Sequence, residues 1–145
     1  MQVRQVPFAS ELYHQLCDLR NSELRLPLGL VQDSKDLEGE EQQIHFGIFK
    51  DNHPIACMIL VPQGDDKLKM RQVCVAKAYQ SSGLGKKLLL AAEAFAKAQG
   101  LSQLYCHARE TAYYFYRNSG YIQVGERFEE VGIPHYFMFK SLRIS

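Results

Sequence analysis

Tryptophan is absent from the sequence, proline occurs only five times, and neither sign of charge is in clear excess. Among the 145 residues, 17 lysines and arginines stand against 16 aspartates and glutamates. A chain so close to neutrality has no overall field that would attract a nucleic acid or an anionic membrane. We therefore expect no nucleic-acid partner, and a charged ligand must be recognised by a local group of side chains.

Long apolar segments are also missing. The longest apolar run, Ile55–Val61, is far shorter than the roughly 20 residues that a membrane-spanning helix needs. The N-terminus has no apolar segment of signal-peptide length. These two absences predict a protein of the cytoplasm that does not associate with a membrane.

The cysteines show no Cys-x-x-Cys pairing and lie mostly within apolar stretches, where cysteine behaves as a small hydrophobe. They are Cys17, Cys57, Cys74 and Cys106. This pattern predicts reduced thiols. The candidate metal ligands are Cys106, His107 and His135, but the short paired spacing typical of zinc ligands is absent, so we expect no metal.

The length and the 46% share of apolar residues suffice for one core but not for two ordinary domains, so residues 1–145 are interpreted as a single domain. Hydrophobic periodicity predicts helices after Ser10, from Leu84 and over Glu110–Asn118. Strands are predicted at Gln2–Val6, Ile44–Phe49, Ile55–Val61, Leu68–Val75, Leu101–His107, Tyr121–Gly125 and Tyr136–Leu142. The order βαβββαβαββ indicates a mixed α/β or α+β sheet domain.

A strand, a glycine-bearing loop and the start of a helix follow one another between residues 73 and 87. The first N–H groups of a helix have no partner within the helix and lie at the positive end of its dipole, so they suit a phosphate. Gly83 and Gly85 allow the backbone to approach such a group, and Lys86 and Lys87 add positive charge. The loop is therefore a candidate phosphate-binding site.

The spacing within this loop separates three kinds of phosphate-binding loop. A P-loop requires Ser or Thr directly after its lysine, whereas Lys86 is followed by Lys87. A dinucleotide-binding fingerprint requires a third glycine where this chain has Leu88. What remains, Gln80-x-x-Gly83-x-Gly85, resembles the pyrophosphate-binding signature of the GNAT superfamily of acetyltransferases.

Two further segments carry the same resemblance. The motif Ala112-x-x-Phe115-Tyr116-x-x-x-Gly120-Tyr121 resembles a second GNAT signature, and the run from Phe128 to His135 resembles the ElaA-like branch of the family. The resemblance implies a GNAT-like α+β fold with a mostly antiparallel, twisted sheet of about six to seven strands flanked by helices. It also implies an N-acetyltransferase that uses acetyl-CoA as co-substrate and an amine as acceptor.

In this family the pantetheine arm enters a gap beside the fourth strand, so the resemblance assigns a set of cofactor-binding residues. They are Val73, Cys74, Val75, Gln80, Ser81, Ser82, Gly83, Leu84, Gly85, Lys86 and Tyr116. The N–H near Val75 would polarise the thioester carbonyl. The strand residues are equally interpretable as core.

The catalytic residues implied by the resemblance are Tyr116, Glu130 and His135. Tyr116 matches the tyrosine that often protonates the departing CoA thiolate, although a packed core tyrosine is the alternative. Glu130 and His135 are the candidate bases that take the proton of the amine, with Glu110 and His107 in reserve and a water-mediated route equally open. The acidic grouping Glu126, Glu129 and Glu130 either holds a cationic amine or forms an ordinary polar turn.

Two other functions compete with this interpretation. An acyl-CoA sensor would keep the cofactor loop without catalysis, and an unrelated nucleotide-binding or interaction module would not bind CoA. The identity of the amine acceptor cannot be derived from the sequence. A homodimer is suggested by analogy with the family alone.

Overall fold

Eight strands form one mixed sheet within the residues that the computed structural model describes, 2–64 and 66–142. The strands are β1 (Arg4–Val6), β2 (Ile44–Lys50), β3 (His53–Pro62), β4 (Lys67–Val75), β5 (Gln103–Arg109), β6 (Ile122–Gln123), β7 (Phe128–Glu130) and β8 (Ile133–Ser141). Their order is β1-β2-β3-β4-β5-β8-β6, and β7 pairs with β8. The described pairings are antiparallel except that of β4 with β5, which is parallel. The predicted α+β sheet fold is confirmed.

Three α-helices flank the sheet in the described residues: α1 (Glu11–Arg20), α2 (Leu84–Ala98) and α3 (Tyr113–Asn118). The Ser10 side chain caps α1 by accepting from the Tyr13 N–H at 3.2 Å, as the sequence predicted. The chain continues from α1 into a π-helical turn, Asn21–Arg25. Gly100, with a φ of 74°, ends α2 in the left-handed conformation that this position favours.

The predicted β2–β3 hairpin is present, and it is longer than expected because Asp51 and Asn52 form the whole turn with positive φ angles of 51° and 64°. The sheet has one strand more than predicted. Residues 128–130 lack the apolar alternation of a strand, and they form β7 only because the start of β8 pairs with them. Conversely, β6 is reduced to two residues, Ile122–Gln123.

The two faces of the sheet bury different clusters. Helices α2 and α3 pack on one face, which we call the α2 face, over the larger core that includes Met58, Met70 and Leu104. Helix α1 packs on the other face, the α1 face, over a smaller cluster that includes Leu16 and Cys57. Because side chains alternate along a strand, each strand sends every second residue to each face.

A β-bulge interrupts β4 beside its pairing with β3. Cys57 pairs with Cys74 and Ile59 pairs with Arg71, so two residues of β4, Gln72 and Val73, lie opposite one residue of β3. Gln72 takes a φ of 52°, which is uncommon for a residue with a side chain. The parallel pairing of β4 with β5 ends at Met70 and Cys106, directly before the bulge. Beyond this point the two strands diverge.

A buried ion pair fixes the segment that follows α1. The two terminal nitrogens of the Arg20 guanidinium, Nη1 and Nη2, donate to the Glu40 carboxylate at 2.9 and 2.7 Å, and the Tyr13 hydroxyl donates to it at 2.8 Å. Both charged side chains are almost wholly buried. Burial by itself raises the pKa of Glu40, but the hydrogen bonds and charge of Arg20 outweigh burial, so the pKa of Glu40 lies below its ordinary value.

We expect Glu40→Gln to lower the free energy of unfolding at neutral pH by about 3–5 kcal/mol, because the substitution leaves the Arg20 charge buried without its counterion. The stabilisation from a carboxylate with a lowered pKa is present above its ordinary pKa and is lost as the pH falls through the lowered value. As the pH is lowered, the free energy of unfolding of the variant should therefore fall less than that of the parent protein. Denaturant unfolding between pH 3 and 7 measures both effects. Glu41→Gln, at an exposed neighbour, is the matched control, and equal losses in the two variants would contradict the prediction.

Candidate active site

The divergence of β4 and β5 opens a cleft of about 1120 Å³. Its lining comes from both strands, from the loop before α2, from α3 and from the turn after α1. The β5 residues Cys106 and Ala108 belong to the core of the α2 face, so the alternating residues His107 and Arg109 point to the α1 face. The cleft therefore collects side chains from both faces of the sheet.

The predicted phosphate-binding loop lies at the α2 face of this cleft. Gly83 stands at the N-cap of α2 with a φ of 86°, and no side chain of a described residue caps the helix. The amide group of Gln80 donates to the carbonyl of Val75 at 3.1 Å, which ties the loop to the end of β4. The first N–H groups of a 15-residue helix are thus left for a ligand.

Ten of the eleven residues predicted to bind the cofactor line the cleft. They are Val73, Cys74, Val75, Gln80, Ser81, Gly83, Leu84, Gly85, Lys86 and Tyr116. Ser82 is not among the lining residues, and its hydroxyl instead donates to the carbonyl of Tyr79 within the loop. Its contribution is to the shape of the turn.

Gly85 has a role that the sequence analysis missed. A Cβ atom at this position would lie 2.9 Å from the ring of Phe115, which is closer than side chains tolerate. At Gly83, by contrast, a Cβ atom would meet no atom of a described residue within 4 Å. Gly83 therefore serves the loop conformation, whereas Gly85 allows α2 to pack against α3. This contact joins the motif that ends at Gly85 to the motif that contains Phe115 and Tyr116.

Tyr116 lies on α3 at the α2 face of the cleft and is almost wholly buried. Its side chain interacts with the thiol of Cys106. Burial and the neighbouring Cys106 raise the pKa of Tyr116, so the phenol is protonated at neutral pH. The neighbouring Tyr113 and Tyr114 stack on each other outside the cleft.

The thiols near the site are buried and unreactive. Burial raises the pKa of Cys106 to about 12, so its thiolate is scarcely populated at neutral pH. The Cys57 and Cys74 sulfurs lie 3.3 Å apart, and the contact with Cys74 together with burial raises the pKa of Cys57 well above its ordinary value. Neither Cys106 nor Cys57 is therefore suited to act as a nucleophile.

Glu130 and His135, which the sequence proposed as alternative bases, lie together with His107 in one cluster at the α1 face. One Glu130 oxygen lies 3.0 Å from Nδ1 of His107, and the other lies 3.6 Å from Nε2 of His135. The Nδ1 of His135 lies 2.9 Å from the carbonyl of Ile133, which fixes the ring. Burial alone would raise the pKa of Glu130, but the two histidines outweigh it and lower that pKa, so Glu130 is a carboxylate at neutral pH.

The other acidic candidates do not reach the cleft. Glu110 accepts from Arg127 at 2.9 Å and from the Tyr136 hydroxyl at 3.1 Å, and it is absent from the lining. Glu126 and Glu129 are exposed and also lie outside the lining. The acidic grouping therefore divides: Glu130 belongs to the site, and the rest resembles the ordinary polar turn that was the alternative.

The α1 face of the cleft is also lined by basic side chains that the sequence analysis did not assign to the site. They are Arg25, Lys69, Arg71 and Arg109. A strand with basic residues at alternate positions, as β4 has at 67, 69 and 71, was the available signal. The turn at residues 21–25 crosses the mouth of the cleft. The Leu24 carbonyl accepts from Arg109 at 2.8 Å, and Glu23 accepts from the Lys77 N–H at 3.3 Å.

The three residues considered as metal ligands do not come together, because Cys106 faces Tyr116 while His107 and His135 share Glu130. Within residues 2–64 and 66–142 there is no cluster of three or more side chains suited to a metal ion. In the same part of the chain, no helix is long and apolar enough to cross a membrane.

The sequence of this chain is similar to sequences of known proteins. The acetyltransferase (GNAT) domain family matches residues 30–142. A Bacillus subtilis protein named as an acetyltransferase is 39% identical over 73 residues, and the match spans 50% of each chain. This chain thus aligns with only half the length of that relative.

Solved structures share the whole fold. An N-acetyltransferase structure from Lactobacillus plantarum superposes with a TM-score of 0.86 at 28% identity, covering 99% of this chain and all of the other. Escherichia coli ElaA gives 0.83 at 19% identity, with coverage of 97% and 99%. An aminoglycoside 6′-N-acetyltransferase complexed with coenzyme A gives 0.81 at 18% identity, with coverage of 100% and 99%. At 19% and 18% identity, the last two structures show similarity of fold only.

Proposed function

The chain belongs to the GNAT acetyltransferase family, and from this premise we propose that it transfers an acetyl group from acetyl-CoA to an amine by direct attack of the amine on the thioester. The motif resemblance found in the sequence is confirmed by this membership. The observation that carries the proposal is the cleft between β4 and β5, with a phosphate-binding helix start and Tyr116 at one face and a carboxylate–histidine cluster at the other.

Acetyl-CoA fits the α2 face of this cleft as co-substrate. The uncapped start of α2, with Ser81, Gly83 and Gly85 in the lining, offers N–H groups to a pyrophosphate. The edge of β4 that faces β5 has no strand partner after Met70 in the described sheet, so residues 73–75 offer backbone groups to the amides of a pantetheine arm. The N–H near Val75 is proposed to polarise the thioester carbonyl.

Tyr116 is proposed as the acid that protonates the CoA thiolate as it leaves. A phenol with a raised pKa holds its proton at neutral pH, which an acid must do before it donates. The phenol interacts with a sulfur atom, that of Cys106, from within the cleft. A thiolate that replaced this contact would receive the proton directly.

The cluster of Glu130, His107 and His135 is proposed to take the proton from the ammonium group of the acceptor. An aliphatic amine has a pKa of about 10.4 and must lose its proton before it attacks. In the proposed arrangement the Glu130 carboxylate stabilises an imidazolium on either histidine after the proton is accepted. The presence of both acid and base candidates in one cleft supports an enzyme over an acyl-CoA sensor.

The domain organisation belongs to the same proposal. A single set of strand pairings runs without interruption from β1 to β6 in the described residues, which supports one catalytic domain over residues 1–145. The acceptor is proposed only as an amine at this stage.

We expect acetyl-CoA to raise the melting temperature, because a ligand at about a hundred times its dissociation constant stabilises the folded state by about 2.7 kcal/mol. Gly83→Val should lose this shift, since its side chain would occupy the open space before the helix start, and the φ of 86° adds strain to the branched side chain. Gly100→Val is the matched control at the other end of α2, with a positive φ of 74° and open space for a Cβ atom. A Gly83→Val protein that binds acetyl-CoA as the parent does would show the loop to be wrongly assigned.

Tyr116→Phe should slow turnover by about 100-fold or more while the affinity for acetyl-CoA stays within a few-fold, because the ring is retained and only the acidic proton is lost. Tyr113→Phe and Tyr114→Phe remove hydroxyls outside the cleft and are the controls. Steady-state kinetics with calorimetric binding measures both quantities. Small and similar effects in all three variants would assign Tyr116 to packing alone.

The base should appear as a rise of kcat/KM with pH that keeps its position when acceptors of different basicity are compared. We expect His135→Gln or His107→Gln to abolish this limb if that histidine is the base. Glu130→Gln should abolish the limb if the carboxylate itself accepts the proton, and should lower kcat/KM without removing the limb if it only orients a histidine. Glu129→Gln, exposed and outside the cleft, is the control. An unchanged profile in all three cluster variants would favour water as the proton acceptor.

A further inference from the structure

The α1 face of the cleft carries more positive than negative charge. Arg25, Lys69, Arg71 and Arg109 line it, against the carboxylates of Glu23 and Glu130. Both carboxylates are already engaged, since Glu23 accepts from the Lys77 N–H and Glu130 lies between two histidines. The amine acceptor therefore enters an environment with a net positive charge. This charge would repel a substrate that carries only positive charge.

Two of these cations are poorly compensated. Arg109 is half-buried and donates to the neutral carbonyl of Leu24 at 2.8 Å. Arg25 is 15% exposed at its side chain, lies 3.7 Å from Asp36, and has a buried Nε that lacks a hydrogen-bond partner among the described residues. Burial lowers the pKa of Arg109, and the nearby charge of Arg25 lowers it further. By contrast, Arg71 donates to Gln43 at 2.9 Å and lies 3.7 Å from Glu40.

Two guanidinium groups that repel each other in a partly buried site are stabilised by an anion placed between them. Guanidinium binds oxyanions through paired N–H groups, and a bidentate pair fixes the orientation of a carboxylate or phosphate. Arg25 has spare donor capacity at Nε, and Arg109 donates to the carbonyl of Leu24, the residue before Arg25, so that both arginines line the same wall of the cleft and provide such a site.

The arginine pair lies beside the proposed proton acceptor. Arg109 is directly opposite His135 in the β5–β8 register, and His107 precedes Arg109 by two residues on the same face of β5. Residues directly opposite on adjacent antiparallel strands have Cβ atoms about 4.5–5.5 Å apart. A small molecule could thus place its amine at the cluster and a second group at the arginines.

We propose that the acceptor carries an oxyanion group, a carboxylate or a phosphate, in addition to its amine, and that Arg25 and Arg109 bind that group. This inference rests on the proposed acetyl transfer. The arginines lie on the α1 face, whereas the proposed pyrophosphate site at the start of α2 lies on the opposite face, so the two anion sites are separate.

The test compares amines of matched skeleton: n-alkylamines, ω-amino acids from glycine to 6-aminohexanoate, and aminoalkyl phosphates such as 2-aminoethyl phosphate. At least one anionic series should exceed its matched alkylamines in kcat/KM by about tenfold or more, as expected for charge-assisted hydrogen bonds. Comparing the carboxylate and phosphate series identifies which oxyanion is bound. A higher rate for every alkylamine than for its anionic partner would overturn the proposal.

The variants Arg25→Gln and Arg109→Gln should each reduce the preference for the anionic acceptor about tenfold, and Arg25→Lys should retain part of it. Arg127→Gln, at a largely exposed arginine paired with Glu110 outside the cleft, is the control and should keep the preference. Melting temperatures establish whether each variant is folded. If Arg109→Gln does not fold, the test relies on Arg25→Gln. An unchanged preference together with a raised KM for acetyl-CoA would assign the arginines to the co-substrate and overturn the proposal.

Binding measured by calorimetry in the presence of CoA separates this inference from the proposed function. If no amine is acetylated but the anionic amines still bind and require Arg25, the oxyanion site stands and the proposed reaction fails. If acetyl transfer occurs and the anionic amines neither bind nor react better than the alkylamines, the reaction stands and the oxyanion site fails.

Discussion

The end of the β4–β5 pairing at Met70 and Cys106 is the constraint on which the rest of the site depends. A continuous parallel pairing would satisfy the backbone of β4 and close the sheet. The bulge at Gln72 and Val73 instead changes the direction of β4, and the strands separate. The same feature that disrupts the sheet therefore leaves backbone groups available to a ligand and creates a cleft through a layer that would otherwise be packed.

The alternation of side chains along the diverging strands gives the two faces of the cleft different chemistry. On β5, Cys106 turns toward the apolar core and the Tyr116 hydroxyl, while His107 and Arg109 turn toward the face of α1. The α2 face holds an uncapped helix start and a protonated phenol. The α1 face holds ionised groups, so a co-substrate and an acceptor can approach the same gap from environments suited to each.

The turn after α1 joins the edges of this gap. Residues 21–25 contact Lys77 beside β4 and Arg109 at the end of β5, so they span the diverging strands. The buried Arg20–Glu40 pair stands just before this turn in the chain and anchors it against the sheet. A buried charge pair contributes little net stability compared with apolar packing, but it specifies one arrangement because either charge alone would be costly. We interpret it as the fixed support of the acceptor side.

Local patterns in the sequence determined the capped helix after Ser10, the β2–β3 hairpin and the loop around Gly83, because each depends on residues close together in the chain. They also predicted Tyr116 as a cleft residue. Only the tertiary structure decided that Glu130 lies between His107 and His135, that Gly85 packs on Phe115, and that Arg25 approaches Arg109. The contacts of Glu130 with His107, of Gly85 with Phe115 and of Arg25 with Arg109 join residues 23, 30 and 84 positions apart. Strand register and the β4–β5 divergence, which no local periodicity specifies, bring them together.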